Sequence, residues 1–379
     1  MRNFLSIVKR EFKLFFADRI MLMLYLGAPV LYGFLFGYVY DKGKLTDLPI
    51  VIVDNDNSPT SAKLIDMLSE TDMLELKVVR YQKDGTESYF LNQGAYAVVN
   101  IPYRFEASLM RGDYPELNTY INNSNLIPSN YVARAVMTAA GTLNVIKTRM
   151  SGKKNEAFHL NLFKVYNPGS NYFYFIWPSY LAIILQSVVM VVLALSFSAE
   201  QQNKTLRTVY ERGGHSVLLT MFGKLLPYLL LSALLLGIFG IYFKVFKQPF
   251  PGTLFPVLLV SFIFIASNAF IGMSAGLLFK SQLKSLQFLI ILSMPVYISS
   301  GFSWPFEQGG WAAQLFSFIF PFMPFVNGLR ILLIEHGTLT DIKDYLNIQL
   351  IQLLVYFLIA CAMLWWHTGD RFNLRRFYK

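Results

Sequence analysis

The sequence predicts an α-helical polytopic membrane protein, with six spans and an outer re-entrant segment, carrying an inserted small α/β extracytoplasmic domain. Three observations lead there. Of 379 residues, 54% are hydrophobic and only 15% charged, at a mean hydropathy of +0.43; an ordinary soluble domain carries about 25% charged residues. The apolar residues gather into runs near the ~20 residues that a helix needs to cross a hydrocarbon core of about 30 Å. Half of the charged residues, 28 of 56, fall in one long stretch, 41–172, after the first run. A collagenous or disordered chain is excluded, and an ordinary cytosolic enzyme does not fit this composition.

The elements follow in order. In residues 1–19 the apolar positions Phe4, Leu5, Val8, Phe12, Phe15 and Phe16 recur at helical spacing, with Lys9, Arg10 and Lys13 among them. That is the pattern of an amphipathic helix lying on the inner membrane face, either a simple anchor or a lever feeding the first span. Residues 20–40 form that span without a charge. The run is too long for a signal peptide, and no small-residue cleavage site follows it.

Residues 41–172 alternate short apolar runs with helix signals, as a small α/β domain does. Residues 50–53 predict a strand ended by the turn residues 54–57. Ser58-Pro59 is a helix start, a side-chain oxygen at the N-cap followed by proline, and the helix runs to about residue 69. Residues 74–81, 96–101 and 117–121 predict further strands. Asp84 caps a short helix ending near Gly94, Pro102 opens one to Arg111, and residues 128–150 form a long helix leading back toward the membrane through Asn167-Pro168.

Residues 173–367 carry five further spans, at 173–197, about 218–243, 254–279, 286–300 and 348–366. Residues 311–326 (WAAQLFSFIFPFMPFV) are short for a span. Pro321 and Pro324 near their end mark a re-entrant section covering 301–326. Residues 368–379 form a basic tail with Arg371, Arg375, Arg376 and Lys379. Six spans keep that tail on the side of the N-terminus, whereas a seventh would export it against the positive-inside tendency.

The net charge of +10 then falls entirely on one side. The cytoplasmic segments hold 15 basic and five acidic residues, while 41–172 hold 14 of each. Lys244, Lys247, Arg330 and Lys343 balance Glu307, Glu335, Asp341 and Asp344 in the other outer loops. The excess marks orientation and headgroup contact, not a nucleic-acid patch.

No catalytic constellation is legible. Cys361 lies in an apolar run and reads as a small buried hydrophobe. His159, His215, His336 and His367 lack metal-ligand spacing, so no metal is expected. Asp54 and Asp56 lack the glycine and terminal glutamate of a calcium loop and read as turn or cap residues. Asn122-Asn123-Ser124 matches a glycosylation sequon, meaningful only in a secretory-pathway eukaryotic protein. The spans from residue 173 onward have no charged residue or histidine in their central regions, and Lys224 lies near the inner end of its span. Proton relays and intramembrane enzymes retain such residues, so those classes do not fit.

Gln186, Ser187, Ser232, Ser261, Ser267 and Asn268 are among the uncharged polar groups in the spans. They either hydrogen-bond between helices or, at Gln186, Ser187, Ser267 and Asn268, line a translocation surface at a subunit interface. Gly272 and Gly276 form a small-xxx-small step for close helix approach. Pro227 and Pro295 interrupt spans, and Trp177, Trp304, Trp311, Trp365 and Trp366 read as belt anchors. No GxxxxGK[ST] phosphate loop occurs; the run from Gly276 to Lys280-Ser281 lacks the second glycine. Any ATP that powers transport must bind another chain.

Several fragments taken in order carry a resemblance. They are Val8-Lys9-Arg10-Glu11-Phe12 with Asp18-Arg19; Val53-Asp54-Asn55-Asp56 with Ser58-Pro59-Thr60-Ser61; and Gly94-Ala95-Tyr96 and Ile101-Pro102 with Phe105 and Arg111-Gly112. Tyr166-Asn167-Pro168 and Pro178 follow, then Gly223-Lys224-Leu225-Leu226-Pro227-Tyr228, and Ser300-Gly301-Phe302 with Pro305, Pro321 and Arg330. The series resembles the permease subunits of type 2 ABC exporters, in the branch with a large outer domain after the first span.

The resemblance implies that residues 1–19 are a connecting helix and that residues 198–216 are a cytoplasmic loop docking on the ATPase. Glu200-Gln201-Gln202-Asn203-Lys204-Thr205-Leu206 matches that loop, with Lys204 where the family usually has glycine. Glu11, Glu200, Thr205, Leu206 and Arg207 would be the ATPase-coupling positions. Ser300, Gly301, Phe302, Pro305, Pro321 and Arg330 would form the re-entrant exit region. The implied assembly is a second permease, identical or related, with two cytoplasmic ABC ATPases that hold ATP and Mg, in a bacterial inner membrane among its lipids. This chain itself would bind no cofactor. A hydrophobic or amphipathic substrate (drug, lipid or envelope component) would leave outward, and the outer domain would either shape the exit or dock a periplasmic adaptor.

Two rival classes remain. One is an ATP-independent receptor or envelope-organising protein built on the outer domain. The other is a membrane enzyme on lipid-linked substrate, which would need convergent acids or histidines at one membrane level.

Overall fold

The computed structural model describes residues 2–40, 45–79, 89–90, 94–113, 115–122, 126–150, 171–249, 253–301 and 310–368. Two compact units emerge, a helical one (Met1–Asp41 with Tyr166–Lys379) and an inserted one (Lys42–Val165). Phe302, Pro305, Tyr166-Asn167-Pro168, residues 84–88 of the helix expected after Asp84, and the tail from residue 369 lie outside the described residues.

The amphipathic helix α1 (Arg2–Ala17) ends at Asp18, whose extended backbone and side chain cap the next helix. Its carboxylate accepts from the backbone N–H groups of Ile20 at 2.9 Å and Met21 at 3.2 Å, satisfying donors that a helix start leaves open. Helix α2 (Arg19–Tyr40) contains a π-helical turn, Met23–Gly27. Pro29 has no N–H to return to the carbonyl of Tyr25, so the ladder is already broken there and the turn widens.

The inserted unit is a four-stranded sheet in the order β2-β1-β3-β4. Strand β1 (Leu48–Asp54) leads into helix α3 (Pro59–Ser69), then strands β2 (Leu74–Val79) and β3 (Ala97–Ile101). Helix α4 (Phe105–Arg111), strand β4 (Asn118–Ile121) and helix α5 (Leu126–Met150) follow. β1 pairs in parallel with β2 (Leu48 opposite Leu74) and with β3 (Ile50 opposite Ala97), and β4 closes antiparallel on β3 (Ala97 opposite Ile121). A strand buried on both faces reads as continuous apolar sequence. In β1, Ile50 and Ile52 pack with Leu64 and Leu68 of α3 and Val132 of α5, while Val51 and Val53 face Val98 and Tyr89.

Ser58 caps α3 with a reciprocal Ser58–Ser61 box and Pro59 at its first position. Pro102, by contrast, does not open α4. The helix begins at Phe105 after Arg104 in the left-handed region (φ 58°), and the Asp56 carboxylate accepts from the Glu106 N–H at 2.9 Å. The cap comes from another part of the chain, which local sequence does not reveal. Asp54 accepts from the N–H groups of Asp56 and Asn57, each at 3.0 Å, and from the Ser61 hydroxyl at 2.8 Å.

The helical unit resumes with α6 (Tyr172–Gln202), α7 (Leu206–Arg212), α8 (Val217–Val245), α9 (Leu254–Leu278) and α10 (Gln282–Ser299). Helices α11 (Trp311–Ile319), α12 (Phe322–Leu333) and α13 (Lys343–Thr368) complete it. α6 runs five residues past the expected end at Phe197, because Glu200 is neutralised inside the protein instead of meeting water. α6 and α9 cross at its centre: a Cβ on Gly272 would lie 2.3 Å from the Met190 carbonyl oxygen, and one on Gly276 2.5 Å from that of Ala194. Only glycine permits that approach. Phe325 of α12 stacks on Phe264 of α9, with ring centroids 4.0 Å apart.

Among the described residues five helices, α2, α6, α8, α9 and α13, are long and apolar enough to cross a membrane, so the chain is a polytopic helical membrane protein. Helices α11 and α12 are bent by 82° and make a sixth if the pair is one span. The section expected to end at residue 326 continues to Leu333, because Pro321 serves as the N-cap of α12 and Pro324 falls in its first turn, where no N–H is needed. α10 has 18 residues, about 27 Å at the helical rise, slightly less than the hydrocarbon thickness.

Candidate functional site

Three helices converge on one buried charge cluster, α1 contributing the adjacent Arg10 and Glu11, and α6 and α8 each contributing residues one turn apart. The apolar side of α1 lies on α8, where Ile7 sits against Gly223; a Cβ there would come 3.0 Å from the Ile7 Cγ2 atom. One turn on, Glu11 is 1% exposed. Its Oε2 atom accepts from Lys224 Nζ at 2.7 Å, and its Oε1 atom accepts from the Tyr228 hydroxyl at 3.0 Å and from the Ser196 hydroxyl. Lys224 and Tyr228 are a turn apart on α8, as Ser196 and Glu200 are on α6.

Glu200 is 3% exposed and Lys224 fully buried. Lys224 Nζ lies 3.2 Å from Glu200 Oε1 and stands over the Phe197 ring, 5.1 Å from its centroid. Arg10 grips the same carboxylate with both guanidinium nitrogens, at 2.5 Å and 3.2 Å, a two-pronged geometry that lysine cannot supply. The Thr205 hydroxyl also donates to Glu200. Two cations meet two anions, so the cluster carries no net charge. Burying either carboxylate alone would be costly, and here each has at least three donors. Burial works against the Arg10 guanidinium, but the hydrogen bond and charge of Glu200 and the charge of Glu11 outweigh it and hold its pKa above the ordinary value.

An aromatic knot ties the cluster to α2. Phe15, Tyr25 and Tyr228 pack edge to face, with centroids 5.8–5.9 Å apart. The Tyr25 hydroxyl, carried on the π-helical turn, donates to the Tyr228 carbonyl at 2.8 Å and lies 2.5 Å from the Ser232 hydroxyl. The cluster and the hydroxyl network bind α1, α2, α6 and α8 at one membrane level.

The loop from α6 to α7 leaves this cluster directly. Lys204 sits where glycine is usual in the resembling family and adopts φ 56°, the left-handed conformation that glycine favours. Leu206 and Val209 of α7 are buried, whereas Arg207 is exposed and pairs with exposed Glu211 at 3.1 Å. Of the five expected coupling positions, Glu11, Glu200 and Thr205 are thus brought together in the interior. Leu206 anchors α7, and Arg207 alone faces outward.

The expected path residues lie on α6 and α9. Gln186 and Ser187 line a small groove with Leu289, Leu292 and Ser293 of α10. Ser267 and Asn268 are fully buried in α9 and donate to carbonyls of their own helix, those of Ile263 and Phe264, each at 2.8 Å. In the expected exit region, Asn327 donates to the Ser300 carbonyl at 3.3 Å, Gly301 has φ 81°, Pro321 caps α12, and Arg330 lies 3.6 Å from Glu335.

Arg10, Ser196, Lys224 and Tyr228 are cluster members that the sequence does not place among the expected coupling positions. A usable signal existed for Lys224. A lysine seven residues inside an apolar span needs an anion at its own depth, and Glu11 and Glu200 are the carboxylates available there.

A family model described as "ABC-2 family transporter protein" matches residues 19–366. Among curated proteins, the probable multidrug ABC transporter permease YbhR of Escherichia coli strain K12 is 24% identical over 279 residues, covering 70% of this chain and 72% of the relative. The same-named protein of Escherichia coli O157:H7 matches to the same extent.

Proposed function

The chain belongs to the ABC-2 family of transporter proteins, and from that premise we propose that it is the membrane subunit of an ATP-driven exporter. Its substrate is hydrophobic or amphipathic: a drug, a lipid or an envelope component. The multidrug designation of the Escherichia coli relative and the apolar, uncharged mid-regions of the spans support that substrate class. The chain pairs with a second permease, identical or related, and with two cytoplasmic ABC ATPases that hold ATP and Mg. It lies in a bacterial inner membrane with six spans, α11–α12 forming an outer re-entrant section. Both termini are cytoplasmic and residues 41–172 extracytoplasmic, where they shape the exit or dock an adaptor.

The observation that carries this reading is the buried cluster. The outward face of α7, with Arg207 and Glu211, receives the ATPase. Glu200 at the root of the same loop is held by Arg10 of α1 and Lys224 of α8. Displacement of the loop therefore moves the connecting helix and two spans as one body, tilting them without any group on this chain doing chemistry.

The test is purification of the chain from its own membranes and reconstitution with whatever ATP-hydrolysing subunit accompanies it. ATP-dependent export of an amphipathic dye is expected, and its loss together with ATPase association in the Glu200→Ala/Arg207→Ala variant. Absence of any associated ATPase would favour an ATP-independent receptor. Intact association and export in the double variant would remove the docking assignment.

A further inference from the structure

Two cavities in the helical unit share lining residues and take no part in the coupling cluster. One, about 110 Å³, lies between α6, α8, α9 and α12 and is walled by apolar side chains, among them Leu185, Phe239 and Leu258, with Ser261 its one hydroxyl. The other, about 370 Å³, is lined by Gly240, Phe243, Lys244, Lys247 and Gln248 at the end of α8. Gly240 and Phe243 border both. A Cβ added at Gly240 would meet no atom within 4 Å, so open space adjoins the shared wall there.

The rim of the second cavity is cationic and unsatisfied. Lys244 and Lys247 are exposed and have no ion pair among the described residues, and none of the described residues lining either cavity is a carboxylate. Helix α8 closes with Lys247 in the left-handed region (φ 49°) and the Gln248 N–H donating to the Phe243 carbonyl at 2.9 Å. This turn folds Gln248 back into the cavity wall, 6% exposed, with neither end of its side-chain amide hydrogen-bonded among the described residues. Buried polar atoms rarely go unpaired, and such an amide marks a place built to meet a polar group. Lys244 is about 30 Å along α8 from Lys224 at the helical rise, so the rim lies at the opposite membrane boundary from the charge cluster. The surface around it is apolar and exposed, with Ile241 and Val245 on α8 and Leu254 and Leu258 on α9.

We infer that this composite site holds an anionic phospholipid of the surrounding bilayer. The phosphate sits between the two lysines and the Gln248 amide, and one acyl chain passes Gly240 into the apolar cavity. An inorganic anion would not use the apolar chamber, and a zwitterionic lipid would bring its own cation to the lysines. The inference needs only a membrane-spanning chain and stands independently of the export reading.

The full chain is placed in nanodiscs of equal parts phosphatidylglycerol and phosphatidylcholine with identical acyl chains, then extracted, and retained lipid is read by native mass spectrometry. Phosphatidylglycerol is expected to be retained roughly tenfold over phosphatidylcholine, with Lys244→Gln/Lys247→Gln reducing the ratio to near one. Gly240→Leu is expected to lower retention of both lipids several-fold, while Gly237→Leu, on the same helix with equally open space but outside both linings, retains them as the wild type does. Dodecyl phosphate should displace the bound lipid and inorganic phosphate should not. Melting temperature and elution profile confirm folding of each variant. Equal retention of the two headgroups, wild-type retention in Gly240→Leu, or displacement by inorganic phosphate would overturn the assignment.

Discussion

Replacing Lys224 with methionine isolates what the charge cluster contributes. Methionine keeps an unbranched side chain in a fully buried position while removing the ammonium held 2.7 Å from Glu11 and 3.2 Å from Glu200. The two carboxylates are not left equally exposed by the change. Glu200 keeps both prongs of Arg10 and the Thr205 hydroxyl, whereas Glu11 is left with two neutral hydroxyl donors, Tyr228 and Ser196. The loss therefore concentrates on Glu11. Removing one partner of a buried ion pair costs about 3–5 kcal/mol, because the remaining charge stays desolvated.

The Glu11→Gln variant alone should cost less, about 1–3 kcal/mol, since Lys224 retains Glu200. In the Glu11→Gln/Lys224→Met double variant the orphaned charge is gone, so the combined loss should fall at least ~1 kcal/mol short of the sum of the single losses. Equilibrium unfolding in mixed micelles with increasing sodium dodecyl sulfate measures all three. A Lys224→Met variant within about 0.5 kcal/mol of wild type, or strictly additive losses, would refute the pairing described here.

Other positions give independent checks. Lys204→Gly relieves a left-handed backbone at an exposed turn and should raise stability by about 0.5–1 kcal/mol in the same unfolding assay; a loss would contradict the turn geometry. Gly276→Ala places a methyl group 2.5 Å from the Ala194 carbonyl oxygen and should cost about 1–3 kcal/mol, while Gly237→Ala, with nothing within 4 Å, should stay within about 0.5 kcal/mol of wild type. Asp54→Ala removes the acceptor for two backbone N–H groups and the Ser61 hydroxyl. It should cost about 1.5–3 kcal/mol and speed hydrogen exchange at Asp56 and Asn57 in the full chain, and unchanged exchange there would argue against this turn.

Local signals carried far in this chain. The runs of apolar residues located the long helices, Ser58-Pro59 fixed the start of α3, and the alternation within 41–172 located the four strands along the chain. Glu11 and Glu200 stood out through the resemblance of their surrounding fragments. What local sequence could not show was that they share a lysine. Glu11 and Lys224 are separated by 213 positions, and a single lysine among leucines barely lowers the hydropathy of its segment. The end of α6 was misjudged for the same reason: Glu200 looks like a boundary until its cations are known. The start of α4 was misjudged because its cap, Asp56, is fifty residues away.

The most direct test of the coupling role is a photo-cross-linking side chain placed at position 207 of the full chain in its native membrane. An adduct with an ATP-binding subunit is expected, changing in yield when nucleotide is added, and none is expected from the same probe at position 244 at the far end of α8. An adduct to no ATP-binding protein from position 207, or equal adducts from both positions, would contradict the assignment of α7 as the receiving element.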